Sequence, residues 1–198
     1  MGLFGPSKRE VWEQLSREIN AEYVEGFWSG SGVQAHVDNW IIVLDTYTVS
    51  NGRSSTTYTR IRAPFVNLAD FYFCIYRRGL FSDLGKLLGM QDIEIGYPEF
   101  DEDFILKGND EEKVRQLLSD EKIRHLIEGQ PRFHLEVKDD EGFFKNHFPE
   151  GVDELYFRVP GVIRDIDLLK ELYELFAEAL RQLCEIGAAG SGNPQVDL

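Results

Sequence analysis

The sequence predicts an α+β fold, with antiparallel β-meander strands packed against helices and a long C-terminal helix lying on the sheet. Three observations predict it. Asn51-Gly52 separates two β-rich runs, Trp40–Val49 and Thr56–Val66, and Asn-Gly between such runs is a strong hairpin signal because the tight turn needs φ > 0. Residues of about 165–185 carry Leu168, Leu172, Leu175, Phe176, Ala179, Leu180 and Leu183, a stripe broad enough to cover a sheet. Runs of strands stand beside separate helices instead of alternating with them, which disfavours a parallel sheet.

The elements follow in order. Ser7 and Glu10 form a capping box, so a helix starts at Lys8 with Val11, Leu15 and Ile19 as its stripe. Gly26 ends this segment, or a short strand Tyr23–Trp28 intervenes; Ser29-Gly30-Ser31-Gly32 reads as a turn. Val33–Val37, the turn Asp38-Asn39, Trp40–Val49 and Thr56–Val66 make a meander. Pro64 lacks an amide donor and belongs at an edge or bulge. Leu68-Ala69-Asp70 turns the chain into Phe71–Arg77, apolar on both faces and therefore covered on both. Leu80–Leu88 reads as a short helix stopped by Gly89, and Gln91–Asp103 as acidic and irregular. A strand Phe104–Lys107 precedes helices capped by Asn109 and Ser119. Arg132–Lys138 alternates, with Phe133, Leu135 and Val137 inward. Phe143-Phe144 opens a weaker strand, and Leu155, Phe157 and Val159 face inward from the last one. One domain of residues 1–187 is expected, with halves 1–90 and 91–187 sharing a core, followed by a disordered tail at 188–198.

The 198 residues include 42% hydrophobic and 13% aromatic side chains, enough for a substantial core. The net charge of −14 argues against a nucleic-acid binder, which needs a basic face, and equally against docking on an anionic membrane. No apolar run approaches the ~20 residues of a membrane span, and residues 1–9 lack the apolar core of a secretory signal. Gly2 does not mark myristoylation, because Pro6 stands where Ser or Thr is required. Cys74 in a strand and Cys184 in a helix read as small buried hydrophobes in a reducing cytoplasm.

Chemical motifs are sparse. His36, His125, His134 and His147 show no metal-ligand spacing, the acidic runs break the calcium-loop pattern, and no nucleophile elbow or phosphate loop occurs. No cofactor and no metal is expected. His134 and Glu136 share one strand face about 7 Å apart, the one pairing from which a hydrolase would be built. Between Arg53 and Met90 stand Arg53, Arg60, Arg62, Arg77, Arg78 and Lys86 against Asp70 and Asp83 alone. This basic stretch either pairs with the acidic segment Asp92, Glu94 and Glu99 or meets an acidic partner, with Tyr58, Arg60 and Arg62 as the partner-binding residues.

Phe100-Asp101-Glu102-Asp103-Phe104 followed by Lys107-Gly108-Asn109-Asp110-Glu111 resembles a passage of an uncharacterised bacterial protein family, in which an F-D-x-x-F turn leads to a strand, K-G-N-D and a helix. The resemblance covers Tyr97–Glu128, implies a bacterial origin, and brings no activity or site residue with it. The element order from Phe104 to Glu185 is similar to that of helix-grip folds, which often hold apolar ligands. The expectation is a cytoplasmic, non-enzymatic binding module with a protein partner; the alternatives are a pocket for an apolar small molecule or lipid between sheet and last helix, and a hydrolase using His134 and Glu136.

Overall fold

The structure, a computed structural model, describes residues 5–26, 30–79, 91–139 and 148–196. The expected helix Leu80–Leu88, the strand opened by Phe143-Phe144, and His147 lie outside the described residues. Helix α1 (Lys8–Glu18) starts at Ser7 with the capping box in place. Strands β1 (Glu22–Gly26), β2 (Gly30–Val37), β3 (Trp40–Ser50) and β4 (Ser55–Asn67) follow as antiparallel neighbours. The residues read as a Ser-Gly turn are thus partly strand: Gly30 and Gly32 belong to β2, opposite Gly26 and Val24.

The β3–β4 hairpin forms at Asn51-Gly52, with a longer loop than a two-residue turn. Ser50 pairs with Ser55, so four residues close it. Asn51 Oδ1 accepts from Arg53 N at 3.1 Å and Ser54 N at 2.9 Å, while Gly52 takes φ +81°. Val37 pairs with Trp40 across Asp38-Asn39 as expected.

The meander ends at β4. Strand β5 (Phe73–Arg77), expected beside it, lies between β7 (Phe104–Gly108) and β8 (His134–Lys138), and β9 (Val152–Pro160) takes the place next to β4. With β6 (Gln91–Ile93) the order is β1-β2-β3-β4-β9-β8-β5-β7-β6. Polar side chains redirect the chain at this corner. Asn67 binds both the N–H and the C=O of Phe71 and donates to Asp153. Asn109 accepts from Tyr72 N at 2.9 Å and donates to Asp70 O at 2.7 Å. Asn109 is therefore a clamp and not a helix cap; Asp110 caps α3 (Glu111–Leu117) instead, and Asp120, not Ser119, caps α4 (Glu121–Glu128). Gly108 completes the motif, since a Cβ there would lie 2.8 Å from Val114 Cγ2.

Within the segment expected to be irregular, Pro98 starts a short helix α2 (Pro98–Asp103), as proline does readily at a first helical position. Pro64 lies where β4 has left β3 and has not yet met β10 (Ala189–Gly190), so the missing amide breaks no ladder on that side. Strand β10 corrects the expected disordered tail at its start: Ala188 and Ala189 are buried, and Ala189 and Gly190 pair with Asn67 and Val66.

The helices gather on one face of the sheet. Helix α5 (Ile166–Glu185) buries Leu172, Phe176, Leu180 and Leu183, and α1 buries Trp12 and Leu15, against Leu44, Ile61, Phe157, Leu135 and Ile75. Phe133 stacks on Phe157 with ring centres 5.6 Å apart. Tyr173 reaches across to donate to Val33 O at 2.7 Å.

Candidate functional site

Because side chains alternate along a strand, the residues between those core positions share the opposite face of the sheet. There the register aligns polar groups in rows. Asp45 stands opposite Arg60, Arg60 opposite Arg158, Arg158 opposite His134, and His134 opposite Tyr76. A second row runs Arg62, Tyr156, Glu136, Cys74. Arg60 binds Asp45 with two donors, Nε at 2.5 Å and Nη2 at 2.8 Å, and Arg62 Nη2 reaches the same carboxylate at 3.3 Å. Burial works against the charge on both arginines. At Arg60 the Asp45 hydrogen bond and the attraction of Asp45 and its acidic neighbours together outweigh burial and raise the value, whereas burial and the charge of Arg60 hold Arg62 below the ordinary arginine value. Tyr58 stacks on Tyr47 at 5.3 Å, and Lys138 Nζ sits 2.9 Å from Glu154.

This arrangement places the three residues expected to bind a partner. Tyr58, Arg60 and Arg62 do share one face, and Arg60 and Arg62 are each only 6% exposed and engaged by Asp45. The acid that answers the basic stretch is thus Asp45 on the neighbouring strand. Farther along, Arg77 pairs with Asp103, and Asp92 pairs with Lys107.

His134 and Glu136 also have a third titratable neighbour, which the sequence reading missed. Cys74 Sγ lies 2.9 Å from His134 Nε2, and His134 Nδ1 lies 3.7 Å from Glu136. Burial pushes the Cys74 thiol well up and pulls His134 down to about 3, and it raises Glu136 as well. Thiolate chemistry needs the opposite shifts, so the pair rests as neutral thiol and neutral imidazole. Among the described residues, no group of three His, Cys, Asp or Glu side chains is placed to hold a metal ion.

A second site lies where β9 passes into α5. A cleft of about 270 Å³ is lined by Pro131, Val159, Pro160, Val162, Ile163 and Leu168. Its wall is fastened from below. The Thr59 hydroxyl donates to Gly161 O at 2.8 Å and accepts from Ile163 N at 3.0 Å. Gly161 N donates to Thr57 O, and Trp12 Nε1 donates to Ile163 O at 3.1 Å. Gly161 takes φ +94°, a backbone state that turns the strand end outward at little cost only for glycine. Asp165 caps α5 by accepting from Asp167 N and Leu168 N.

Two arginines, Arg132 and Arg164, also line this cleft; both are exposed, and neither forms a hydrogen bond or ion pair with a described residue. Leu168, expected in the inward stripe of α5, faces the cleft, and Leu169 takes the core place. The sequence signal was Pro160-Gly161-Val162-Ile163, an apolar run leading from the end of β9 into a connection where solvated residues are the rule.

The sequence matches no protein-family model and no curated protein. The fold is similar to that in the crystal structure of the mycobacterial trehalose monomycolate transport factor A, TtfA, with a TM-score of 0.53, 10% sequence identity, and coverage of 88% of this chain and 95% of that one. At that identity the likeness is one of fold.

Proposed function

We propose that this protein is a non-enzymatic binding module that holds the apolar part of a small molecule in the cleft between the end of β9 and the start of α5. The observation that carries the reading is the cleft itself: apolar residues from two connections and the first turn of α5 line a cleft open to solvent, on walls held by Thr59 and Trp12. Such concavities with a few polar groups at hand are the usual form of small-molecule sites. The fold shared with a trehalose monomycolate transport factor is compatible with a ligand of this class. The resemblance of Tyr97–Glu128 to bacterial proteins adds a bacterial setting. A protein partner at Tyr58, Arg60 and Arg62 is set aside, because Asp45 already occupies the two guanidinium groups.

Titration with the neutral fluorophore N-phenyl-1-naphthylamine tests the proposal. Saturable one-to-one binding is expected in the native protein, and loss of it in Val162→Trp, which fills the cleft, at unchanged Tm. Straight-chain alcohols should displace the dye with a gain of about 0.8 kcal/mol per added CH₂, roughly fourfold in Kd, until the cleft is full. Equal binding by the Val162→Trp variant would overturn the proposal.

A further inference from the structure

We infer, resting on the cleft as the binding site, that its ligand is a single-chain amphiphile with a carboxylate head, of the fatty-acid type, and that Arg132 and Arg164 receive the head. In a chain of net charge −14, carboxylates are the abundant partners, and six of the thirteen arginines pair with one among the described residues: Arg9 with Glu13 and Glu25, Arg60 and Arg62 with Asp45, Arg77 with Asp103, Arg115 with Glu111, Arg181 with Asp38. Arg132 and Arg164, which approach the cleft from two different connections, pair with none among the described residues. They belong to segments far apart in sequence and line one cleft because α4 ends beside the start of α5. The positive end of the 20-residue helix α5 adds to the field there, with Asp165 opposing it while held in its capping bonds.

Chemistry then narrows the ligand. An apolar floor with planar guanidinium forks beside it matches an alkyl chain ending in an oxyanion, which a fork can receive through two hydrogen bonds. A volume of about 270 Å³ lies below the roughly 300–1,000 Å³ of ordinary small-molecule pockets, so it suits one chain and not a two-tailed lipid. The overall charge of −14 repels an anionic bilayer, which favours a free amphiphile over a membrane surface.

Calorimetric titration of the full chain with decanoate, decanol and decyltrimethylammonium, each below its micellar concentration, tests this. Decanoate is expected to bind one-to-one about tenfold more tightly than decanol, since an exposed ion pair contributes up to about fivefold and two act together. Decyltrimethylammonium should bind weakest. In Arg132→Gln/Arg164→Gln, decanoate should fall to the affinity of decanol, with decanol unchanged. Equal affinities for decanoate and decanol, both lost in Val162→Trp, would overturn the carboxylate head and leave the cleft intact. No binding by any of the three would overturn both. Arginine-dependent flotation with phosphatidylglycerol vesicles, with no response to decanoate, would overturn the free amphiphile in favour of a lipid surface.

Discussion

Two groups of arginines in this protein do opposite things. Arg60 and Arg62 lie on the polar face of the sheet, buried, with Asp45 between them. Arg132 and Arg164 border the β9–α5 cleft, exposed and in no ion pair with a described residue, while Asp165, the acid that also lines the cleft, is held in the capping bonds of α5. The difference shows that a charged residue marks a binding site by what surrounds it and not by its type. A buried arginine must be neutralised by its own fold, because an uncompensated charge in a low-dielectric interior costs several kcal/mol. An arginine in water carries no such demand, so nothing in the fold explains its place, and a ligand can. The same contrast separates the apolar residues: Phe157 and Leu172 complete a core, whereas Val162 and Leu168 sit beside solvent.

The largest test of this contrast is Asp45→Ala. It strands Arg60 and Arg62 without their carboxylate, and we expect a loss of about 3–5 kcal/mol, read from the urea midpoint. Ligand binding at the cleft should be unchanged in whatever fraction remains folded. A loss below 1 kcal/mol would mean that the row of charges is not held by this carboxylate.

The sequence foretold the local parts of this arrangement and missed the long-range ones. The α1 capping box, the Asp38-Asn39 turn and the β3–β4 hairpin involve residues close in the chain, and each formed near its expected place. The strand order did not follow, because nothing local states that β9, some 90 residues on, would displace β5 from the side of β4. The Cys74–His134 contact was hidden for the same reason: it depends on the β5–β8 register, which sets Glu136 opposite Cys74 and His134 diagonal to it. Arg60 and Arg62 stood out as basic residues in an acidic chain, but their partner Asp45 lies within an otherwise apolar and β-branched run and drew no notice. The cleft was legible only as an anomaly, four residues from Pro160 to Ile163 without a polar side chain where the last strand runs out into a connection.

Thr59→Val comes next in size and links the two regions, since Thr59 belongs to β4 and holds the cleft wall. Losing its hydroxyl leaves Gly161 O and Ile163 N short of a partner, for about 1–3 kcal/mol of stability. Unlike Asp45→Ala, it should also weaken binding of the neutral dye severalfold in the folded protein. Unchanged dye affinity would show that the wall keeps its shape without this residue.

The polar face also predicts a pH response. His134 titrates at about 3 in the folded chain, against an ordinary value of 6.5. Across that window the unfolded chain binds more protons, so the contribution of neutral His134 is complete above pH 6.5 and is lost as the pH falls toward 3. Glu136, raised by burial, acts in the opposite sense: the folded chain holds its proton more tightly, so acidification adds stability. His134→Gln should therefore flatten the acid limb of stability, by up to about 1.4 kcal/mol per pH unit between pH 6 and pH 4. Parallel limbs in the two proteins, compared by urea unfolding, would place the titrating group elsewhere.

The smallest expected change in stability belongs to the cleft arginines, and its smallness is the point. Arg132 and Arg164 touch no described hydrogen-bond partner, and exposed substitutions of this kind stay within about 0.5 kcal/mol. Replacing both by glutamine should leave the urea midpoint within that range, or raise it slightly if each repels the other. The double variant is then as stable as the native protein and poorer at holding an acyl carboxylate. Residues that a fold does not need, gathered from two connections around one apolar hollow, are those whose removal separates binding from folding. A drop in stability of 2 kcal/mol or more would show instead that the arginines serve the fold, and would make them the counterpart of Arg60 and Arg62 and not their opposite.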